Sequence, residues 1–329
     1  MKIIRSINAP ILCKKGCVLT IGNFDAVHVG HQKILQQLVI QGKKLELPVV
    51  VMTFDPTPQE YFQRDNAAAR LTTIGSRFFQ LRECGVDIML ALKFDQLIAQ
   101  TSADDFIEDY LFNTLNVKYL LVGDDFRFGA GRKGNYDLLV NASEKFNFQL
   151  GRFDTVIHQD SGDEDQERRR VSSTYVRELL REGDMQEASK LLGRNYSMVG
   201  RVLHGDKRGR QWGFPTLNLA VTRTPPMMGV YAVRVIGIES GALSGVANLG
   251  RRPTVDGLKM LLEVHLFDFS KEIYGKRVCV EFMSKIRDEQ KFDSFDALKV
   301  QIAKDSQTAR MLAKNWGLLV NANNFRGGM

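Results

Sequence analysis

The stretch Val18-Leu19-Thr20-Ile21-Gly22-Asn23-Phe24-Asp25-Ala26-Val27-His28-Val29-Gly30-His31 decides the architecture of the first half of this chain. Val18 to Ile21 is a short apolar run without polar alternation, the pattern of a strand buried on both faces of a parallel sheet. The run stops at Gly22, and from about His31 to Leu45 apolar residues return at helical spacing as Ile34, Leu35, Leu38 and Val39. A strand, a turn and a helix in that order begin a β-α-β unit. The rhythm continues with strands predicted at Val49 to Phe54 (behind Pro48), Val86 to Leu92 and Tyr119 to Gly123. Thr101-Ser102-Ala103-Asp104-Asp105 has the hydroxyls and early carboxylates of a helix N-terminus, and that helix is expected to run to about Leu115. The expected fold is a doubly wound α/β domain. Such sheets bind ligands beyond the carboxyl ends of their strands, where both Gly22 and Gly123 stand.

The pattern changes after a helical stretch from Glu178 to Leu192. From Tyr196 onward short β runs follow at Ser197 to Leu203, Gly229 to Ile238, Leu243 to Leu249, Leu261 to Phe267 and Arg277 to Phe282, broken by Gly and Pro. Regular short strands with turn residues between them predict a small barrel. From Ser294 the chain reads as a helix with Phe295, Leu298 and Ile302 on one face. The boundary falls between about 185 and 195, giving expected domains 1–187 and 188–329.

The 329 residues suffice for two cores, and the net charge is +7. A basic surface suits either nucleic acid or the focusing of polyanionic small substrates. No basic run interleaved with aromatics is present, and Arg168-Arg169-Arg170 behind Asp163-Glu164-Asp165 reads as a solvated loop. The expectation is therefore no nucleic acid. No apolar run approaches the ~18 residues of a membrane span, and Met1 to Asn8 lacks the apolar core of a signal peptide. Cys13, Cys17, Cys84 and Cys279 are few and scattered, as in a reducing cytoplasm, and no metal site is expected of them.

His28 and His31 lie three apart at the start of a helix, where backbone amides and the helix dipole favour phosphate. Imidazole donors there can stabilise charge that grows during an in-line displacement. The plain alternative is a surface histidine pair, or two ligands of an incomplete metal site. Ser172-Ser173-Thr174 with Arg177 offers hydroxyls, amides and one charge for phosphate, or simply a helix cap. A second constellation lies in the later half. Gly205, Lys207, Arg208, Gly209, Arg210 and Gly213 make a basic, glycine-rich loop, and Thr216 and Asn218 follow two residues apart. In extended chain those two share a face and offer oxygen ligands to a hydrated Mg²⁺ on polyphosphate. The alternative is a basic β-turn with no ligand.

Further residues narrow the first motif. With Thr53-Phe54-Asp55-Pro56, Leu71-Thr72-Thr73, Gly123-Asp124-Asp125-Phe126-Arg127-Phe128-Gly129 followed by Arg132 and Gly134, and the Ser-Ser-Thr element, the first half resembles the FMN adenylyltransferase module of the HxGH nucleotidyltransferases. Gly229-Val230-Tyr231, Asn248-Leu249-Gly250 with Arg252 to Val255, Glu263-Val264-His265-Leu266, Tyr274-Gly275, and Arg287 with Glu289 resemble riboflavin kinase. From about residue 15 to 310 the chain resembles the bacterial bifunctional riboflavin kinase/FMN adenylyltransferases, or FAD synthetases.

That resemblance implies a Rossmann-like α/β N-terminal domain and a C-terminal six-stranded antiparallel β-barrel with a terminal helix. It implies ATP at Gly22, Phe24, Asp25, His28, His31, Asp125, Arg127, Ser172, Ser173, Thr174 and Arg177 for adenylyl transfer, with His28 and His31 catalytic. It implies a second ATP at Gly205, Lys207, Gly209, Gly213, Thr216 and Asn218, with Mg²⁺ on Thr216 and Asn218. Glu263 would be the kinase base, and Asp55, Asn248 and Arg287 would hold flavin. Substrates would be ATP, riboflavin and FMN, with transient contact to apo-flavoproteins. The chain departs from the pattern at Ala26, where Gly is usual, at Thr57, where His is usual, and at Gly75-Ser76-Arg77, where the stretch is more charged. Two alternatives follow: a riboflavin kinase with a weakened adenylyltransferase, and, from the basic pI alone, a flavin-sensing nucleic-acid-binding regulator.

Overall fold

The computed structural model describes residues 1–6, 13–63, 66–158, 169–203, 216–239, 241–254 and 257–316. These divide into two compact units, Met1–Ala68 with Thr72–Ser173, and Ala69–Leu71 with Thr174–Met329.

The first unit runs β1 (Lys2–Ile4), β2 (Cys17–Ile21), α1 (Val29–Leu45), β3 (Val49–Phe54), α2 (Pro58–Phe62), α3 (Ile74–Glu83), β4 (Ile88–Leu92), α4 (Gln96–Gln100), α5 (Ala103–Asp105), β5 (Val117–Gly123), α6 (Tyr136–Phe146) and β6 (Gln149–Phe153). A π-wound segment, Phe106–Thr114, continues directly from α5. The strands form one sheet in the order β1-β4-β3-β2-β5-β6, with every pair parallel. A parallel sheet needs cover on both faces. Leu19, Ile21, Val50, Met52 and Leu90 pack with Phe106, Leu111 and Leu139 on one side. Val18, Val49, Val51 and Met89 pack with Ile34, Leu35, Leu38 and Leu81 on the other. Each such side chain, fully buried, contributes roughly 1.5–3 kcal/mol. The short pair β7 (Ile157–His158) and β8 (Arg169–Arg170) is antiparallel.

The expected strands and doubly wound order are present. Three features were not anticipated. α1 starts at Val29 because the His28 ring caps it. The α2, α3 and α6 helices, with the flanking strands β1 and β6, were not read from the sequence. Arg169 and Arg170, expected in a solvated loop, are in β8, while Arg168 lies outside the described residues.

In the second unit the expected helical stretch Glu178 to Leu192 is two helices, α7 (Ser173–Glu182, its first residue in the first unit) and α8 (Met185–Leu192). They part at Gly183, whose φ of +88° ends the first. Six strands follow: β9 (Ser197–Leu203), β10 (Thr216–Ala220), β11 (Gly229–Ile236), β12 (Leu243–Thr254), β13 (Gly257–Leu266) and β14 (Arg277–Arg287). They close an antiparallel barrel in the order β10-β13-β12-β11-β14-β9, with β9 paired back to β10. The strands β12 and β14 extend five residues beyond the predicted ends at Leu249 and Phe282. The terminal helix α9 (Phe295–Lys314), capped by Ser294, packs on the barrel wall at β11, β12 and β14. Its Ala309 and Leu312 join Val230, Ala232 and Val246 in a small apolar cluster.

Candidate active sites

In the first unit β2 lies between β3 and β5, so the strand order reverses at its edge with β5. The carboxyl ends of a sheet at such a switch point leave a crevice for a ligand. Gly22 to His31 leaves β2 there, and Gly123 to Arg127 leaves β5.

His28 is buried, and its Nδ1 accepts a hydrogen bond from the backbone N–H of His31 at 3.3 Å. A ring nitrogen that accepts carries no proton, so the neutral ring has its proton on Nε2. The helix cap thereby selects the tautomer. The two imidazoles stack at 3.7 Å between centroids, 17° from parallel. Gly30 permits this, because a Cβ there would stand 3.1 Å from His28 Nδ1. His31 also packs on the Phe24 ring at 4.8 Å. Part of His31 is accessible, but its Nδ1 is enclosed and has no hydrogen-bond partner in the structure. Burial, then the charges of His28, Arg77 and Arg170, hold its pKa well below the usual imidazole value. His31 is therefore neutral at pH 7.

The remaining predicted residues divide between site and frame. Asp25 is buried, and its Oδ1 accepts from the Thr72 amide at 2.9 Å and the Thr72 hydroxyl at 2.8 Å. Phe24 is buried, with its ring against His31, so it frames the turn. Ser173 donates to the Asp25 carbonyl at 2.9 Å, which ties the start of α7 to the β2–α1 turn. Asp125 pairs with Arg170 at 2.7 Å, and that guanidinium holds the carboxyl below its usual pKa. Arg127 is exposed. Thr174 and Arg177 group with the second unit, where Arg177 Nε donates to the Ala69 carbonyl. Asp55 follows β3, and beside it Tyr61, Phe62 and Phe94 stack edge to face, with Phe62 66% exposed. Arg170, Thr72 and Arg77 entered the sequence reading only as part of a solvated basic cluster, a Leu-Thr-Thr motif and a departure from the family pattern, without a site role, and the aromatic shelf was not read.

Two of the departures now have structural readings. Thr57 caps α2 and forms a capping box with Glu60. Ala26 sits at φ +71°, between Phe24 at +48° and Val27 at +43°. The left-handed region costs an L-residue about 1–2 kcal/mol. Glycine would remove that cost but adds about 0.5–1 kcal/mol of backbone entropy. It would also remove a buried methyl worth ~0.8 kcal/mol. The terms nearly cancel. Ala26→Gly is expected to move the melting temperature by less than about 3 °C. The rate of FAD formation from FMN should change by less than about threefold. A large gain in rate would mean that Ala26 impairs the site.

In the barrel, strand register assembles what the sequence listed separately. Asn218 of β10 is opposite Glu263 of β13, Glu263 is opposite Asn248 of β12, Asn248 is opposite Val230 of β11, and Val230 is opposite Arg287 of β14. Five strands thus place four predicted residues on one row. The neighbours Leu217, Leu219, Leu262, Val264, Ala247 and Leu249 are all buried. Side chains alternate across a strand, so the row faces outward from the barrel interior. Thr216 is opposite His265 on the next row. Asn218 Oδ1 is enclosed and accepts no hydrogen bond in the structure. An unsatisfied acceptor two strand positions from Thr216 and opposite a carboxylate is an oxygen set suited to a hard cation. Arg287 grips Asp305 of α9 through Nε at 3.0 Å and Nη2 at 2.8 Å. The Glu289 carboxylate lies directly over Gly250, and burial raises its pKa. Gly205, Lys207, Gly209 and Gly213 lie outside the described residues.

Fold and sites define a class: a parallel α/β nucleotidyltransferase domain joined in one chain to a small antiparallel barrel carrying a carboxylate–amide row. Comparison with known proteins agrees. The FAD synthetase family model matches residues 11–174, and the riboflavin kinase family model matches residues 192–313. A bifunctional riboflavin kinase/FMN adenylyltransferase of Haemophilus influenzae is 48% identical, over 94% of this chain and 98% of that protein. One of Escherichia coli is 47% identical, over 94% and 97%. A crystal structure described as a macrolide-efflux protein from Streptococcus pneumoniae superposes with TM-score 0.77 at 31% identity, over 94% and 98%. That description is the other protein's; among the described residues here no helix is long and apolar enough to cross a membrane. This chain belongs to the bifunctional riboflavin kinase/FMN adenylyltransferase family, and it carries both activities.

Proposed function

We propose that residues 1–187 transfer AMP and residues 188–329 transfer phosphate, a division supported by the family-model edges at 174 and 192. In the barrel the riboflavin 5′-hydroxyl attacks the γ-phosphorus of ATP, Glu263 accepts the hydroxyl proton, and ADP leaves. Asn218 and Thr216 would hold Mg²⁺, which supplies charge for the ATP phosphates when bound. The observation that carries this reading is the enclosed, unsatisfied Asn218 Oδ1 beside Glu263. Asn248 meets the flavin chain from the other side of Glu263. Arg287 serves the flavin site by holding α9 to the barrel wall through Asp305. Gly205, Lys207, Gly209 and Gly213, which lie outside the described residues, are assigned to ATP binding in this step on the family resemblance alone.

In the α/β unit an FMN phosphate oxygen attacks the α-phosphorus of a second ATP, and pyrophosphate leaves. His28, with its Nε2–H, and neutral His31 donate to the phosphates as charge moves onto the leaving group. Gly22, Phe24 and Asp25 shape the turn. Asp125, Arg127, Ser172 and Ser173 complete the nucleotide contacts of this unit. The exposed Phe62 ring beside Asp55 gives the flavin a flat apolar platform. Both steps consume ATP, which supports a cytoplasmic location, and both products are cofactors, which supports transient delivery to apo-flavoproteins.

The test is a time course of riboflavin with MgATP, resolved into flavins, repeated across magnesium concentrations. FMN should rise first and FAD second. A lost charge-assisted contact is worth about 1.5–3 kcal/mol. Thr216→Ala with Asn218→Ala should therefore move the magnesium midpoint of the kinase step up by about tenfold or more. An unchanged midpoint would make these two residues ordinary wall positions.

A further inference from the structure

Arg77 is the largest fully buried side chain among the described residues. It stands in the first turn of α3, where a cation opposes the helix dipole. A buried guanidinium in an unfavourable position needs compensation. Its Nη1 donates to Thr53 Oγ1 at 3.2 Å, and Thr53 donates to the Asn23 carbonyl at 3.3 Å. Its Nη2 is 3.9 Å from Asp25 Oδ1, the atom that Thr72 also binds. Thr72 Oγ1 in turn accepts from the Ala26 amide at 3.2 Å. One cation thus joins the end of β3, the start of α3 and the turn between β2 and α1. That turn holds three non-glycine residues at positive φ, a conformation that persists only where surroundings impose it.

We propose that Arg77 is a positioning residue for adenylyl transfer: its buried guanidinium fixes the turn that carries His28 and His31 and sets the charge environment of His31. The inference rests on AMP transfer taking place at this turn. Three charged or titratable groups act on His31: His28 stacked on it, Arg77 from α3 and Arg170 from β8. The carboxylate partner of Arg170 is Asp125, and that of Arg77 is Asp25. Each cation disfavours a proton on His31. Removing the Arg77 charge therefore raises the pH at which His31 protonates, and the neutral ring is lost earlier as pH falls.

The experiment uses the full-length chain with Arg77→Met, Arg77→Lys and Arg77→Gln. His31 is titrated by NMR, and FAD formation from added FMN is measured across pH. Riboflavin phosphorylation reports on the other unit, and thermal melting on folding. In Arg77→Met the His31 midpoint should rise by about half a unit or more. The acid limb of FAD formation should move with it, and the plateau rate should fall about tenfold. Arg77→Lys should restore the midpoint. If Arg77→Met folds poorly, the uncharged Arg77→Gln, which can still donate to Thr53, should show the raised midpoint. An unmoved midpoint in either folded variant overturns the proposal. The control is replacement of both histidines by Ala: if that variant still makes FAD, the placement of AMP transfer fails instead, whatever Arg77 does.

Discussion

Glu263→Gln stops the conversion of riboflavin to FMN while FMN added directly still becomes FAD. Glu263 is opposite Asn218 on one side and Asn248 on the other, and its neighbours Leu262 and Val264 are buried in the barrel interior. Glutamine keeps that placement and most of the packing, but it cannot take the proton of an attacking hydroxyl. A positioned general base contributes typically 10²–10⁴-fold, so the kinase rate should fall by about that factor. The fold should be unaffected, because the residue is on the outer wall and half-buried. The measurement is a flavin chromatogram after incubation with MgATP, started once from riboflavin and once from FMN. Full kinase activity in the variant would remove Glu263 as the base. Loss of both activities in a folded variant would overturn the assignment of two separate sites.

Replacing His28 and His31 together by Ala gives the opposite phenotype, an enzyme that accumulates FMN. His28 is held as the Nε2–H tautomer by its own helix cap, and His31 is kept neutral by burial and by neighbouring cations. Two donors set in place before reaction are worth most where charge develops, since no solvent has to reorganise. Loss of one such donor costs typically ~3 kcal/mol, about a hundredfold in rate. The pair should therefore bring FAD formation close to zero, with riboflavin phosphorylation within about twofold of the parent chain. The His28 replacement also removes a helix cap, worth ~1 kcal/mol, so a small fall in melting temperature belongs to the expected result. An unchanged rate of FAD formation would make the histidines structural. If the parent chain itself stops at FMN, the weakened-adenylyltransferase reading takes over.

Much of this was legible in the sequence. The apolar run Val18 to Ile21 before Gly22 announced a buried parallel strand, because only a strand covered on both faces lacks polar alternation. The short Gly- and Pro-punctuated runs after Tyr196 announced the barrel. Motif order gave both activities; the histidine pair, Thr216 and Asn218 were singled out by residue type and spacing, and Glu263 only through the resemblance to riboflavin kinase. The helices α2, α3 and α6 were missed. In α3 a buried arginine interrupts the apolar face, so its periodicity conceals the helix.

What the chain order could not contain is register and enclosure. Asn218, Glu263, Asn248 and Arg287 are spread over seventy positions of sequence, yet barrel closure sets them on one row. Arg77 stood in the sequence only as part of the Gly75-Ser76-Arg77 departure, and folding buries it against Asp25 and Thr53. Arg170 reads as part of a basic loop until β8 carries it to Asp125. Local pattern fixes which face of a strand or helix turns inward, because that depends on a few neighbouring side chains. Which strand pairs with which, and which charge ends away from water, depends on contacts between residues far apart in the chain, and those exist only once the core has closed.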